Sequence, residues 1–153
     1  MSNISLEQIR QLRELTGAGV MDVRKALETA AGDQKKALAE LKKRGAEIAE
    51  KKKERVTASG LVECYVHNGG KVASMVELLC ETDFVAKNEE FKNLAHEIAM
   101  QVASMNPKNV EELLKQEYIR DASKTVGDLV KELVGKIREN IKINRFQRFE
   151  IGE

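Results

Sequence analysis

A change from strand to helix is encoded between Glu77 and Asn88, where the chain reads ELLCETDFVAKN. Apolar and polar residues alternate up to Cys80, which is typical of a β-strand, and Asn88 is suited to cap a following helix. The connection between them contains an acid beside an aromatic residue, Asp83 and Phe84. A short connection fixed at both ends by regular structure can present a side chain rigidly.

Phe84 allows two interpretations. Because apolar residues are usually buried, periodicity alone favours a core position for Phe84, with Asp83 or Thr82 satisfying local backbone donors. In the alternative, the connection holds the ring out toward a partner. The two interpretations differ in the exposure of one side chain.

Composition and charge narrow the class of protein. With 153 residues, 42% hydrophobic and 33% charged, the chain suits one domain, or a small module joined to a larger one. It has no apolar run long enough to span a bilayer and no signal peptide at its start, so a cytoplasmic protein without membrane association is expected. The 26 basic and 25 acidic residues give a net charge of +1, and direct nucleic-acid binding is not expected.

The two cysteines fall on opposite arms of a predicted hairpin that turns at Asn68-Gly69. Pairing around that turn puts Cys64 opposite about residue 73, on the order of 20 Å from Cys80, so no disulfide is expected. The sequence lacks the CxxC and HxxxH spacings, and neither a metal site nor a cofactor is expected. A small hydrolase with either cysteine as nucleophile is one alternative class.

Three short amphipathic helices are predicted within residues 1–45. The first starts at a capping box and spans Ser5 to Gly17, the second runs from about Met21 to Ala30, and the third spans Asp33 to Gly45. A bundle of this size has little core, which favours a docking module over a domain with its own catalytic site. Near the start of the second helix, Val20 and Met21 either both close the bundle or present one side chain to a partner.

A charged connector is predicted over residues 46–58. The stretch from Lys42 to Arg55, KKRGAEIAEKKKER, is nearly free of large apolar groups, which predicts a solvated helical linker. RNA binding is the alternative for this basic stretch, but no aromatic residue is interleaved with it to stack on bases.

Residues 59–153 show the pattern of an α+β domain, an antiparallel sheet packed against helices. Leu61–His67 and Lys71–Cys80 predict a hairpin, and its second strand is central because both of its faces are apolar. A long helix follows Asn88 and ends before Pro107. Its apolar stripe, from which His96 is excluded, consists of Phe91, Leu94, Ala95, Ile98, Ala99, Val102 and Met105.

The C-terminal third has a less regular pattern. A short helix over residues 110–114 and an extended piece at 118–119 are followed by a helix that a Thr125–Asp128 capping box opens. Alternation over residues 140–149 predicts a final strand, with Ile141 and Ile143 on one face and Phe146 on the other.

Two stretches resemble signatures of the translation elongation factor Ts family. Residues 12–27, LRELTGAGVMDVRKAL, are similar to the family's N-terminal signature, and residues 82–86 are similar to its TDFVA motif. Residues 123–127 and 139–141 resemble its C-terminal core. The resemblance covers nearly the whole chain and implies that the first domain is a three-helix bundle similar to ubiquitin-associated (UBA-like) domains.

The resemblance implies a guanine-nucleotide exchange factor of translation elongation rather than an enzyme. Members of the family bind elongation factor Tu, in its GDP-bound and nucleotide-free states, and accelerate GDP release. Their Asp-Phe pair is wedged between helices of the partner near its magnesium site, and their N-terminal module docks on a neighbouring helix. The residues of this chain that match these contacts are Asp83 and Phe84, with Thr82 in the same motif, and Arg13, Val20 and Met21.

The chain also departs from the family pattern. Leu79 stands where asparagine is usual, Arg138 where glycine is common, Asn144 where arginine is common, and Val20 where methionine is usual. Between Pro107 and Ser123 it is shorter than members with a helical insertion, so contacts of that insertion are not expected here.

Two further expectations concern partners. Short family members can be dimers, so a homodimer through the core sheet is one expectation. The alternative function is a binding adaptor, built on the three-helix module, for a ubiquitin-like or RNA partner. Neither this adaptor nor the small hydrolase accounts for the TDF stretch.

Overall fold

The computed structural model describes residues 4–153, and its architecture is α+β. This range forms seven α-helices: α1 Leu6–Thr16, α2 Val20–Thr29, α3 Gln34–Lys52, α4 Asp83–Ala86, α5 Glu89–Met105, α6 Val110–Lys115 and α7 Val126–Ile137. It also forms five strands: β1 Ser59–His67, β2 Val72–Cys80, β3 Glu117–Tyr118, β4 Asp121–Thr125 and β5 Ile141–Glu150. The predicted α+β class is confirmed.

The first three helices form a small bundle. The predicted capping box is present, with the Gln8 amide donating to Ser5 Oγ and the Ser5 amide donating to Gln8 Oε1. Gly17, at a left-handed φ of 64°, ends α1 as expected. The bundle core is almost inaccessible to solvent and consists of Leu12, Val23, Ala26, Leu27, Ala37 and Leu41.

The predicted end of the third helix at Gly45 is wrong, since α3 continues to Lys52. Gly45 lies against Gly135 of α7, where a Cβ added to Gly135 would be 2.8 Å from the Gly45 Cα. This glycine therefore allows two helices to cross closely rather than ending one. Beyond it, Ile48 packs against the larger core, so the stretch expected to be a solvated linker is partly packed. The boundaries at 45 and 58 stay predictions.

The main sheet has the strand order β1-β2-β5, all antiparallel, with β2 central as predicted. Helix α5 packs on one face of the sheet, and its stripe is buried from Phe91 to Val102, whereas Met105 is exposed. Helices α6 and α7 complete this layer. The shared core includes Val76, Leu78, Cys80, Val85, Phe91, Ile98, Leu113, Val126, Val134, Ile141 and Ile143.

The hairpin register differs from the predicted one. Cys64 pairs with Met75, not with residue 73, because the turn contains a short 3-10 helix, Asn68–Gly70, rather than two residues. Asn68 itself has a φ of 53°, a conformation that asparagine tolerates better than most residues. Both cysteines are free, and Cys80 pairs with Ser59 at the far end of the hairpin.

A bulge in β5 reverses the predicted face of Phe146. Ile143 pairs with Leu78 and Phe146 pairs with Val76, so three steps along β5 correspond to two along β2. The extra residue shifts the alternation, and Phe146 packs against the same core as Ile143. The placement of Phe146 on the opposite face is therefore wrong.

The segment after α5 is held by a buried amide that no sequence pattern indicated. Gln101 is fully buried on α5, donates to the Glu117 carbonyl at 3.0 Å and accepts from the Ile119 amide at 2.9 Å. The capping box at Thr125 and Asp128 is present, and the left-handed residue Arg138 (φ 68°) ends α7. Over residues 4–153, none of the helices has the length and apolar character needed to cross a bilayer.

Candidate functional site

Phe84 is the most exposed large apolar side chain of the described residues, with 89% of its surface accessible. It lies in α4, a single helical turn directly after β2. The neighbouring Val85 is buried in the main core and anchors the turn to it. The interpretation of Phe84 as a core residue is therefore wrong.

Thr82 fixes the start of this turn. Its Oγ1 accepts from the Val85 amide at 3.4 Å and caps α4. The carboxylate of Glu139, from the turn between α7 and β5, accepts from the amides of Glu81 and Thr82, both at 3.1 Å. It also accepts from the Thr82 hydroxyl at 2.6 Å. The backbone before Phe84 is thus tied to a second element.

The turn that carries Glu139 is itself anchored. Asn140, the last residue before β5, is buried, and its side chain donates to the carbonyls of Lys53 (3.2 Å) and Arg55 (2.8 Å). The Asn140 amide donates to Glu81 Oε1 at 2.7 Å. Each glutamate thus accepts a hydrogen bond from the backbone of the other's segment: Glu81 from the Asn140 amide and Glu139 from the Glu81 amide.

Asp83 adds a charge next to the exposed ring. Its carboxylate lies 3.9 Å from Lys87 Nζ, and both side chains are largely exposed, so water screens this pair strongly. Asp83 and Phe84 together present an acid and an aromatic ring on one turn. A surface of this kind can bind a partner but offers no activated nucleophile.

Cys80, at the end of β2, is unsuited to nucleophilic catalysis. The thiol is fully buried and donates to the Thr82 carbonyl at 3.2 Å. Burial, with a smaller effect from the Glu139 carboxylate, raises the pKa of Cys80 to about 11. A catalytic thiol needs the opposite shift, which disfavours the hydrolase alternative for Cys80.

The second group of predicted site residues lies on the bundle. Met21 is 72% exposed and Val20 is 46% exposed, both in the first turn of α2. Leu15, near the end of α1, is also exposed, and Arg13 Nε donates to the Ala18 carbonyl at 3.4 Å. Val20 and Met21 therefore do not both close the bundle, because both side chains face solvent.

The two groups of predicted site residues, the Phe84 turn and the exposed residues of the bundle, lie on different elements, and helix α7 connects these elements. Arg138 at the end of α7 forms an ion pair with Asp22 of α2, and Arg44 Nη1 is 3.9 Å from the same carboxylate. The Lys136 side chain lies over Gly17 of α1 and pairs with Glu90 of α5. No pattern in the sequence predicted a role for Arg138 or for Glu139.

Similarity to known proteins decides the family. The family model described as Elongation factor TS matches residues 81–153, which include the Phe84 turn and Glu139. The elongation factor Ts of Thermoanaerobacter sp. (strain X514) is 41% identical, and the alignment covers 98% of this chain and 96% of that protein. The elongation factor Ts of Thermotoga maritima is 40% identical, covering 98% and 97%, and that of Rippkaea orientalis is 39% identical, covering 100% and 80%.

The chain belongs to the elongation factor Ts family. The resemblance predicted from the sequence is confirmed, and with it the assignment to translation elongation in protein biosynthesis. The alignment with the Thermoanaerobacter protein spans 195 positions, whereas this chain has 153 residues. Relatives in the elongation factor Ts family therefore contain additional residues within the aligned region. Their place between Pro107 and Ser123 stays a prediction.

The histidines of this elongation factor Ts family member lie in small polar clusters. Within residues 4–153, no group of three or more His, Cys, Asp or Glu side chains is arranged to hold a metal ion. His96 Nδ1 lies 3.2 Å from Glu63 Oε1, and Tyr65 Oη lies 3.3 Å from His67 Nδ1. His96 is at the surface, as its place off the apolar stripe predicted.

Proposed function

We propose that this protein is a guanine-nucleotide exchange factor for elongation factor Tu. It would bind the GDP-bound and nucleotide-free forms of that GTPase in the cytoplasm and promote GDP release without making or breaking a covalent bond. Membership in the elongation factor Ts family supports this proposal. The single observation that carries it is the exposed Phe84, which is held on a turn fixed by hydrogen bonds.

The proposed mechanism is a coupling between two binding equilibria. A factor that loosens GDP must, by linkage, bind the nucleotide-free partner more tightly than the GDP-bound one. Its contacts must therefore fit the partner better after the nucleotide site is distorted. Asp83 and Phe84 supply such contacts if the ring enters a space between helices near the magnesium site, with Thr82 holding the turn.

The burial of one aromatic side chain can supply a large share of the required difference in affinity. Burying a Phe side chain contributes roughly 1.5 to 3 kcal/mol. A difference of about 1.4 kcal/mol changes an equilibrium constant tenfold. One ring that is buried only in the nucleotide-free complex therefore changes relative affinity by about one to two orders of magnitude.

The three-helix module would provide the remaining affinity. Arg13, Val20 and Met21 lie on one end of the bundle, where the two apolar side chains are exposed. We assign this surface to a helix of the same partner domain. A contact that binds both states equally adds affinity but does not change the ratio between them.

Replacement of Phe84 tests the proposal. We expect Phe84→Ala to lower stimulated GDP release by roughly ten- to a hundredfold, as truncation of a central aromatic contact does. The fold should be retained, because 89% of the side chain is exposed. The measurement is stopped-flow release of a fluorescent GDP from elongation factor Tu.

The matched control is Ile119→Ala, which truncates an exposed apolar side chain on the segment between β3 and β4. This variant should release GDP at the parent rate. If folded Phe84→Ala also matched the parent, the ring would have no role in exchange. An adaptor function of the three-helix module would then be the better explanation of the exposed Val20 and Met21.

A second proposal concerns self-association through the main sheet. The face of the sheet opposite α5 is rich in exposed apolar side chains, with Val62, Val66, Met75 and Phe149 among them. Leu79, which replaces the asparagine usual in the family, lies on this same face and is only partly buried. Contiguous exposed apolar surfaces mark interaction sites, and two such sheets could pack face to face.

A further inference from the structure

We propose that Glu139 is a positioning residue that sets the direction of Phe84. The inference rests on the proposed role of Phe84 in exchange, and it concerns a residue that does not itself contact the partner. Glu139 would act by fixing one conformation of residues 81–84. Without it, the ring would remain exposed but would sample several directions.

The segment that carries Phe84 has little order of its own. Helix α4 is a single turn, and one isolated turn fixes several dihedral angles for very few hydrogen bonds. Val85 and Ala86 pack on the core, whereas Asp83 and Phe84, the first two residues of the turn, are exposed. The amides of Glu81 and Thr82 precede the turn and take part in neither a strand nor a helix, so a protein group is needed to fix their positions.

Glu139 is that group. One carboxylate oxygen accepts from both amides at 3.1 Å, and the other accepts from the Thr82 hydroxyl at 2.6 Å. Hydrogen bonds to an ionised acceptor are shorter and stronger than neutral ones. The same hydroxyl oxygen accepts from the Val85 amide, so the hydrogen bonds run from Glu139 through Thr82 into α4.

Glu139 is held firmly enough to exert this effect. It stands between two residues that attach the turn to other elements: Arg138 pairs with Asp22 of α2, and Asn140 binds the carbonyls of Lys53 and Arg55. Three consecutive residues of the turn thus contact the bundle, the Phe84 segment and the end of α3. Glu139 therefore fixes the orientation of the Phe84 ring relative to the bundle and the main core.

A second hydrogen bond between the same two segments indicates that Glu139 is more than a solvated surface charge. Glu81 Oε1 accepts from the Asn140 amide at 2.7 Å, while Glu139 accepts from the Glu81 amide. Arg55 Nη1 lies 3.5 Å from the other Glu81 oxygen. The two glutamates therefore join the same two backbone segments reciprocally, which restricts sliding of one segment against the other.

Variants of Glu139 that differ in hydrogen-bonding capacity test the inference. Glu139→Ala removes all three acceptor contacts and should slow stimulated GDP release about tenfold, as misplacement of a contacting group does. Glu139→Gln retains an oxygen for the two amides and an NH₂ group for Thr82 Oγ1, and should stay within about twofold of the parent. The matched control is Glu132→Ala, which removes an α7 carboxylate that pairs with Lys124 instead.

A spectroscopic readout separates orientation from stability. With 4-trifluoromethylphenylalanine at position 84, the free parent protein should give one ¹⁹F resonance. Glu139→Ala should shift or broaden it, and Glu139→Gln should restore it. In the Phe84→Ala background, Glu139→Ala should produce little further loss of GDP release, because no ring remains to be directed.

The outcomes are distinguishable. A folded Glu139→Ala variant with an unchanged ¹⁹F resonance overturns the inference, and so does a loss of exchange that is equally large without Phe84. If Glu139→Ala alters the resonance while Phe84→Ala leaves exchange unchanged, Glu139 does position the ring but the proposed function of the ring fails. Should Glu139→Ala not fold, Glu139→Asp withdraws the carboxylate by one methylene and must give the same pattern in weaker form.

Discussion

Cys80 and Cys64 lie on the same hairpin in opposite environments. Cys80 is inaccessible, and burial raises its pKa to about 11, whereas Cys64 is exposed on the outer face of β1. At pH 8 the thiolate fraction of a group with this pKa is about one in a thousand. The two thiols should therefore differ greatly in reaction rate.

A disulfide reagent such as DTNB checks this difference in dilute protein at pH 8. In the native protein we expect one thiol per chain to react quickly, and both to react after unfolding. Cys64→Ser should lack the fast phase, since the remaining thiol is buried. Rapid labelling of Cys80 in that variant would contradict the raised pKa and revive the hydrolase alternative.

At the scale of elements, α7 connects more of the structure than any pattern in its sequence indicates. Its apolar face joins the main core, Gly135 crosses α3 at Gly45, and Arg138 at its end reaches Asp22. The N-terminal end is fixed by the capping box, in which Asp128 accepts from the Thr125 amide at 2.9 Å. Weakening this end should therefore affect the whole core.

The capping box makes stability depend on pH. The Thr125 amide hydrogen bond holds the pKa of Asp128 below its usual value of 3.8. For a lowered carboxyl pKa, the stabilisation is present above the unfolded value and is lost as pH falls through the folded one. We expect Asp128→Ala to lower the free energy of unfolding by about 1 kcal/mol at pH 7, with the difference from the parent shrinking below about pH 4.

Urea unfolding between pH 7 and pH 3 measures this dependence, with Thr125→Ala as the matched control. That variant loses the side-chain cap but keeps the backbone amide that lowers the pKa of Asp128. Its difference from the parent should therefore vary less with pH. A loss in Asp128→Ala that stays constant down to pH 3 would contradict the proposed origin of the effect.

The elements that could be predicted are those whose signals are local. The caps of α1 and α7 and the stripe of α5 depend on residues three or four apart, and the structure confirms them except for Met105. The extension of α3 through Gly45 could not be predicted, because a glycine that ends a helix and one that permits a crossing look alike. The deciding neighbour, Gly135, is distant in sequence.

The candidate site shows the same limit. Phe84 follows the end of strand β2 and Phe146 lies within β5, yet the first is exposed and the second packs on the core. A capped single turn exposes the first, and a bulge in β5 turns the second inward. The resemblance singled out Phe84, but no local pattern pointed to Glu139, whose hydrogen-bond partners lie more than fifty positions away in the sequence.

At the scale of the whole molecule, the bundle and the main core share a close interface. The Lys136 side chain lies over Gly17, and a Cβ on Gly135 would lie 2.8 Å from the Gly45 backbone. Helix α3 therefore packs directly against α7, whereas the end of α1 meets α7 through the Lys136 side chain. The exposed apolar residues of α2 and the Phe84 turn are thus carried by one framework, as a partner contacted at two places requires.

The open face of the main sheet leads to a prediction about assembly. Cys64 pairs with Met75 at the middle of this face, flanked by Val62 and Val66 on the same strand. If two copies pack these faces together, the parent should sediment as a dimer at tens of micromolar protein, and Met75→Glu should sediment as a monomer, since an interface core excludes an unpaired charge.

Analytical ultracentrifugation makes this comparison, with Ile119→Glu as the control that puts the same charge on an exposed apolar residue outside the sheet face. The control should associate like the parent. Because Cys64 would lie inside the interface, its labelling rate should fall as protein concentration rises in the parent but not in Met75→Glu. A parent that stays monomeric and labels at one rate over this range would show that the apolar face serves something other than self-association.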